Sequence, residues 1–262
     1  MTVQFLYPFS SRKEFFQKME NFLCKGFLDD ELSMTPLRYE GGATTNRLPA
    51  PEMYHLLGYP DEKIMSCLKH AHRLRVPVIY SPFDVTALVF DNMERYVSAL
   101  HLNSKMEQKT IAKKKYKGKC IFIPNSLTTT QITTQAMMLQ LRQLYFEVLE
   151  LNRENLRKEI AAKVPQTDEA LREICQQVLY AQLLIDRQRL THQFLTDFSS
   201  YLVQTSYDEG KLQQLLQTLK IYNLMARLLQ LMSETTQLSE GFMPISPLDD
   251  KTTKQIRLNL EK

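Results

Sequence analysis

The fold prediction depends on residues 132–235, a stretch that begins ITTQAMMLQLRQLYFEVLELN over residues 132–152. Apolar side chains recur there at intervals of three and four, the spacing that lines one face of an α-helix. Glycine occurs once, at Gly210, and proline once, at Pro165. An interior glycine costs a helix ~1 kcal/mol and an interior proline ~3 kcal/mol, so a stretch with so few of them favours long helices. We therefore predict three helices that restart near these two residues.

Short connections between long helices make neighbouring helices antiparallel. We therefore predict that residues 126–237 form an elongated three-helix bundle or coiled-coil hairpin. Helical periodicity in the first part of the chain predicts a compact N-terminal helical domain over residues 1–104. Residues 105–125 are predicted to be a basic connector and residues 238–262 a flexible tail. The predicted fold class is accordingly mainly α.

The predicted N-terminal domain contains several separate helical segments. Phenylalanine-rich residues 10–23 predict one helix, Pro60-Asp61 predicts the start of a second that ends near Arg75, and residues 85–100 predict a third. Residues 51–57 are read as one or two helical turns.

Two short apolar runs, residues 76–80 and 120–123, are harder to classify. The second resembles a strand. Because one strand cannot make a sheet, we expect a sheet only if the two runs pair with each other.

The composition is ordinary for a soluble globular protein, with 44% hydrophobic and 24% charged residues. No run approaches the roughly 18 apolar residues that indicate a membrane span. The first twenty residues lack the basic start and apolar core of a secretory signal. Cys24, Cys67, Cys120 and Cys175 lie far apart, which is typical of reduced thiols. These features predict a cytoplasmic or nuclear protein.

The excess positive charge is concentrated in one segment. The chain carries a net charge of +4, yet residues 105–130 contain seven lysines and a single glutamate. Such a segment can bind nucleic acid, an anionic lipid surface or an acidic protein, or it can be a solvated hinge. The candidate anion-binding residues are Lys113, Lys114, Lys115, Lys117 and Lys119.

Candidate metal ligands and catalytic groups are few. Cys67, His70 and His72 are closely spaced, but on a helix His72 points away from the other two, and no fourth ligand is evident. No phosphate-binding glycine loop, zinc-protease helix or nucleophile elbow occurs. We therefore expect no metal, no cofactor and no catalytic activity, and His101 is read as an ordinary residue on a helix surface.

The functional hypothesis depends on the arrangement of apolar and polar residues in the second and third predicted helices. Gln188 and His192 interrupt the apolar seam of the second helix, either as partner-specifying groups or where the seam turns to solvent. In the third helix, Leu216, Met225 and Met232 lie off the seam, so we predict that they form an exposed apolar strip that binds partner helices.

The leading hypothesis is a non-enzymatic adaptor or structural subunit of a multiprotein assembly, such as a cytoskeletal scaffold. It would bind helical partners, or a second copy of itself, through coiled-coil or helix-in-groove contacts. One alternative is a small helical nucleic-acid-binding protein that uses the lysine segment. The other is a helical enzyme or secreted effector without a recognisable motif.

Overall fold

The computed structural model describes residues 1–7, 18–19, 21, 23–24, 33–36, 49–83, 93–114, 118–124 and 133–260. The chain forms two compact units. The N-terminal unit comprises Met1–Arg47 and Pro51–Asn155, and the C-terminal unit comprises Leu48–Ala50 and Leu156–Lys262. The division at residues 155 and 156 differs from the boundaries at 104 and 126 that the sequence suggested. The helix predicted over residues 10–23 falls mostly outside the described residues.

The N-terminal unit is built on a parallel six-stranded sheet with the order β2-β1-β3-β4-β5-β6. The prediction of a mainly α protein with a compact helical N-terminal domain is therefore wrong, because this unit has an α/β fold. The strands are β1 (Thr2–Leu6), β2 (Ser33–Pro36), β3 (Met53–Leu57), β4 (Val78–Ser81), β5 (Ala99–Leu102) and β6 (Lys119–Phe122).

The central strands β3, β4 and β5 are short, and their residues are largely buried. All four residues of β4 and all four of β5 are buried, and so are four of the five residues of β3. Strands buried on both faces read as continuous apolar runs, without the alternation that marks a half-exposed strand. The two apolar runs noted in the sequence are indeed strands, β4 and β6. They do not pair with each other, because β5 lies between them.

Among the described residues of this part of the chain, three helices have defined bounds: α1 (Glu62–Arg73), α2 (Lys105–Lys114) and α3 (Thr134–Lys163). The predicted helix start at Pro60-Asp61 is confirmed, since the Asp61 carboxylate accepts a hydrogen bond from Ile64 N at 2.8 Å and caps α1. Apolar side chains of α3 and of one sheet face form a common core. Its members include Val3, Phe5, Met53, Ile79, Ala99, Met137, Leu141, Leu144, Tyr145 and Val148.

The C-terminal unit is helical, as the sequence predicted for this region. After the end of α3 it contains α4 (Glu169–Asp186), α5 (His192–Gln204), α6 (Glu209–Thr218), α7 (Tyr222–Thr236) and α8 (Lys251–Leu260). Residues 132–235 thus contain five helices instead of three. The unit has its own apolar core, to which α4, α5, α6, α7 and α8 all contribute.

The additional helix ends are made by residues other than glycine. Gln188 and Lys220 follow α4 and α6 with φ angles of 54° and 59°, in the left-handed region. At the first of these ends, the amides of Gln188 and Arg189 donate to the carbonyls of Ile185 and Leu184. These two hydrogen bonds define a Schellman motif, which satisfies the last carbonyls of a helix. Gln188 therefore marks a helix end, and the polar interruption of the seam is a break between α4 and α5.

The last residues of the chain also have a defined structure. Thr253 and Ile256 of α8 are buried, and Arg227 of α7 makes a two-pronged ion pair with Asp250, the residue before α8. The segment expected to be a flexible tail therefore contains a packed helix. None of the helices in the described ranges combines the length and the hydropathy that crossing a bilayer requires.

Candidate functional site

The candidate site lies at the carboxyl ends of strands β3 to β6. In an open parallel sheet the chain leaves the strands at this edge, and ligands bind outside it, next to the position where the strand order reverses. Here that position lies between β1 and β3, since β2 pairs with the other side of β1. The polar residues described below lie on β3, β4 and β5, directly after a strand, or on the helices over Lys105–Lys114 and Thr134–Lys163.

A chain of hydrogen bonds crosses three strands inside the otherwise apolar core. The Tyr145 hydroxyl of α3 lies 2.7 Å from Nδ1 of His55 in β3, and Nε2 of His55 lies 2.7 Å from Oγ of Ser81 in β4. Ser81 Oγ is also 2.7 Å from Nδ1 of His101 in β5, whose Nε2 is 3.2 Å from the carbonyl oxygen of Ile123. We call these four side chains the histidine chain.

The order of the protons in the histidine chain follows from its last member. A backbone carbonyl can only accept, so Nε2 of His101 carries a proton and donates it to Ile123 O. In a neutral imidazole the other nitrogen then accepts, so the Ser81 hydroxyl donates to Nδ1 of His101. The same reasoning makes Nε2 of His55 the donor to Ser81 Oγ and Tyr145 the donor to His55. Every contact thus has one donor and one acceptor, with no net charge.

Burial keeps both imidazoles of the chain neutral. Burial lowers the pKa of His55 well below its ordinary value of 6.5, and the neighbouring His101 lowers it further. Burial also lowers the pKa of His101 to about 4, although the hydrogen bond to Ile123 O opposes this shift. Burial raises the pKa of the Tyr145 hydroxyl. The neutral proton order therefore holds across physiological pH.

The contacts of Ser81 resemble those of a serine nucleophile. A serine hydroxyl that donates to an imidazole, itself oriented by a third group, is the usual arrangement for nucleophilic catalysis. However, Ser81 has no exposed surface, and its oxygen also accepts a hydrogen bond from His55. These contacts hold three strands in register and leave no approach for a substrate to the Ser81 oxygen.

In the part of this edge that the structure describes, Asn103, directly after β5, has a buried side-chain oxygen that lacks a partner. Only 8% of Asn103 is exposed, and its Oδ1 is buried without a hydrogen bond. Its Nδ2 donates to the carbonyl of His101 over a long distance of 3.5 Å. Leaving a buried acceptor unsatisfied costs ~1–3 kcal/mol, so such a group in a native protein calls for an explanation.

The neighbouring groups hold Asn103 in place. Its backbone amide donates to Oε2 of Glu107 at 2.6 Å, and the amide of Glu107 donates to Oγ of Ser104 at 3.2 Å. The serine caps α2 as in a capping box, while the glutamate reaches back to the residue before the cap. Only 3% of Glu107 is exposed. The backbone at Asn103 is therefore fixed by a buried carboxylate.

Two of the described residues at this edge, Gly58 and Phe83, have left-handed backbones. Gly58 follows β3 with φ 75°, and its amide donates to the carbonyl of Ser81 at 2.8 Å. Phe83 follows β4 with φ 54°. A side chain in this conformation costs roughly 1–2 kcal/mol, and such residues concentrate at functional sites. Tyr59, next to Gly58, is 54% exposed. Its hydroxyl and the Glu107 carboxylate add to the effect of burial in raising the pKa of Tyr80 in β4.

The predicted partner-binding residues occupy a different environment from the one expected. Leu216, Met225 and Met232 have no exposed surface and belong to the core of the C-terminal unit. The expectation that they form an exposed strip is wrong. A single helical phase was assumed across residues 209–236, whereas α6 ends at Thr218 and α7 begins at Tyr222.

The lysine segment is only partly described. Lys113 lies exposed on α2, and Lys114 ends that helix. Lys115 and Lys117 fall outside the described residues. Lys119 of β6 donates to the Glu147 carboxylate of α3, and this hydrogen bond holds the pKa of Glu147 below its usual range. Binding of nucleic acid or an acidic surface by this segment stays a prediction.

The histidine pair on α1 has local partners. Arg73 Nη2 donates to Nδ1 of His70 at 2.8 Å, and the His72 ring meets the Tyr96 ring edge-on. In the ranges that the structure describes, no three His, Cys, Asp or Glu side chains are grouped as a metal ion would require. The reading of His101 as a residue of a helix surface is wrong, since it lies in β5 and is 3% exposed.

Sequence reasoning missed the members of the histidine chain, although a signal for them exists. His55 and His101 each stand alone in a short apolar run, MYHLL and ALHL. A histidine in such a run is a candidate for a buried polar network once the run is recognised as a strand. Comparison of the chain with protein-family models, with curated proteins and with solved structures finds no match.

Proposed function

We propose that the N-terminal unit binds a small polar molecule at the carboxyl edge of its sheet, next to β5. The observation that carries this proposal is the buried, unpartnered Oδ1 of Asn103. An acceptor held in this way is matched by a ligand that donates a hydrogen bond, such as a hydroxyl or an amine. Asn103 lies at the carboxyl edge of the sheet, the edge at which α/β proteins bind ligands, although the strand order reverses between β1 and β3, two strands away from β5.

The surrounding chemistry favours a donor-bearing ligand over a phosphate. Residues 7–17 after β1, YPFSSRKEFFQ, contain no glycine, so they do not resemble a phosphate-binding loop. Among the described residues, the buried Glu107 contacts Asn103, since its carboxylate accepts from Asn103 N. An acidic group beside the site repels anions and attracts donors. We propose a binding role without catalysis, since Ser81 is fully enclosed.

The test compares Asn103→Leu with Asn155→Leu, an equivalent change at an exposed position of α3. Full-length protein is examined by saturation-transfer NMR against polyols, amines, nucleosides and nucleotides. We expect a polyol or an amine to bind, Asn103→Leu to abolish binding and Asn155→Leu to retain it. Because Asn103→Leu removes an unpaired oxygen together with one long hydrogen bond to the His101 carbonyl, the free energy of unfolding without ligand should change by less than ~1 kcal/mol.

Other outcomes contradict the proposal. If Asn103→Leu unfolds the unliganded protein, the amide has a structural role. If only nucleotides bind, or if binding survives the substitution, the ligand is recognised elsewhere and by other chemistry.

We also propose that the C-terminal unit is an adaptor, although the residues that support this role differ from those that the sequence suggested. What supports it is a set of exposed apolar side chains, Tyr180 at 41%, Val203 at 44% and Leu258 at 57%. Replacement of all three by Ser should leave the fold intact and abolish self-association or partner recovery, measured by sedimentation and by pull-down. Unchanged association would contradict this role for these residues.

A further inference from the structure

The histidine chain ties helix α3 to the middle of the sheet through groups that can take up a proton. Around it, α3 meets the sheet through apolar side chains such as Leu141, Leu144 and Val148. Tyr145 is the member of α3 that makes a polar contact within this core, to His55 across 90 positions of sequence. The protonation state of the two imidazoles therefore affects how α3 is held against the sheet.

The groups that face the imidazoles in the described part of the chain are neutral. The Phe5 ring of β1 lies 5.5 Å from the His55 ring, measured between centroids, and the His101 ring lies 5.9 Å from it. The others are Ser81 of β4, the Ile123 carbonyl after β6 and Tyr145 of α3. Cys24 is the further ionisable neighbour of Tyr145. None of these is a carboxylate that would stabilise an imidazolium.

A single added proton disturbs the order of the hydrogen bonds. If His55 takes it up, Nδ1 changes from an acceptor to a donor, so two donors face each other at the Tyr145 contact until the hydroxyl rotates. If His101 takes it up, Nδ1 becomes a donor to Ser81 Oγ. That oxygen can accept from both imidazoles, which leaves its own proton without an acceptor, or the Ser81 hydroxyl can donate to His55, whose Nδ1 then donates to Tyr145. In each case a proton of the histidine chain loses its acceptor or the contact between the sheet and α3 reverses.

We propose that the histidine chain is an acid-sensitive switch that releases the first part of α3 from the sheet. In the neutral order, Tyr145 donates to His55 and α3 is held against β3, β4 and β5. Uptake of one proton by the His55–His101 pair buries a charge among neutral groups and disrupts the donor–acceptor order that ends on Tyr145. The helix then separates over the residues that cover the chain, while the helical core formed by α4 to α8, which holds no member of the chain, keeps its structure.

The experiment is hydrogen exchange of the full chain at pH 7 and pH 5, corrected for the intrinsic pH dependence of exchange. We expect protection of residues 134–155 to fall at least tenfold at pH 5, while α4 to α8 change less than twofold. His101→Gln keeps a donor for Ile123 O but cannot ionise, so it should reduce the pH effect on α3 at least threefold. His192→Gln, at the exposed start of α5, is the matched control and should leave the pH effect on α3 protection unchanged.

A second measurement tests the acid-sensitive switch even if His101→Gln folds poorly. The ring protons of His55 and His101 in the unmodified protein are followed by NMR during acidification. We expect both rings to titrate together with the loss of α3 protection. Protection that does not depend on pH, or an opening of α3 at a pH where neither ring titrates, would overturn the switch.

Discussion

The hydroxyl oxygen of Tyr145 lies 2.7 Å from Nδ1 of His55, which joins the long helix α3 to strand β3. The tyrosine is fully buried, and 1% of the histidine is exposed. The chain of contacts ends on the carbonyl of Ile123, which can only accept a hydrogen bond. This end point sets which atom donates and which accepts at every contact of the histidine chain. That order is open to direct measurement.

We expect His55 and His101 both to be neutral, with the proton on Nε2, at pH 7. The carbonyl of Ile123 accepts from Nε2 of His101, so this nitrogen carries the proton. The Ser81 oxygen accepts from Nε2 of His55, so His55 has the same tautomer. Long-range ¹⁵N–¹H NMR correlations distinguish the two tautomers of each ring. An Nδ1-protonated His101 would contradict the assigned order.

Acid should destabilise the protein through these two histidines. The pKa of His101 falls from 6.5 to about 4 on folding, so the unfolded chain binds more protons between these values. Stability is therefore complete above pH 6.5 and decreases as the pH falls towards 4, by ~1.4 kcal/mol per pH unit for each such group. Urea unfolding from pH 8 to pH 4.5 measures this slope. His101→Gln should make the slope shallower, and an unchanged slope would argue against a neutral buried His101.

Met225 should behave as a core residue. Its side chain has no exposed surface, so Met225→Ala should cost ~2–5 kcal/mol of unfolding free energy through lost contacts and a cavity. Leu258→Ala serves as the comparison, because that side chain is 57% exposed and its loss should cost less than ~0.5 kcal/mol. Equal costs at the two positions would contradict the burial of Met225.

Lys220→Gly should stabilise the protein. The residue adopts φ 59° at the end of α6, where a side chain costs roughly 1–2 kcal/mol. Glycine removes that cost, although part of the gain is lost to its greater freedom in the unfolded chain. We expect a net increase of ~0.5–1 kcal/mol by urea unfolding. Lys220→Ala removes the same charge and keeps the strain, so a matching gain in that variant would exclude the backbone explanation.

Asp250→Asn should loosen the last helix. Hydrogen bonds from Arg227 and from the Thr253 amide hold the pKa of Asp250 far below its usual range. Its contribution is therefore present above the usual carboxyl pKa and is lost only in strong acid. Limited proteolysis should cut residues 247–260 faster in Asp250→Asn than in Asp249→Asn, the neighbour with a longer single contact to Arg257 of 3.2 Å. Equal cleavage rates would show that the ion pair does not hold α8.

The sequence was sufficient to predict that residues 134–236 are largely helical, but it indicated neither the number of these helices nor the helix Lys251–Leu260. Helical spacing is a long-range pattern, and it survives from residue 134 to residue 236. The helix ends at Gln188 and Lys220 cannot be recognised from residue type. A Schellman motif is defined by backbone hydrogen bonds, and glycine is only the commonest residue at its left-handed position. Three predicted helices consequently became five, and the phase of Leu216 was misassigned.

The sheet was missed for a different physical reason. Strands of four or five residues that are buried on both faces have no period of two, so Ala99–Leu102 continued an apparent helical repeat and Met53–Leu57 resembled helical turns. Without a sheet, the carboxyl edges of its strands cannot be located. Asn103, His55 and His101 therefore had no common position in the sequence, and only the fold brings them together.

The parallel arrangement of the sheet has a consequence for biosynthesis. β1 pairs with β3 about fifty positions later, as in Val3 opposite Met53, and the core is closed by α3 through Tyr145. Parallel neighbours cannot be joined by a tight hairpin, so no pair of these strands forms locally. Translation adds roughly 5–20 residues per second, so β1 waits on the order of ten seconds for the helix that covers it. During that interval the nascent chain exposes a strand of the future core, and this is the period in which it is most open to aggregation or to a chaperone.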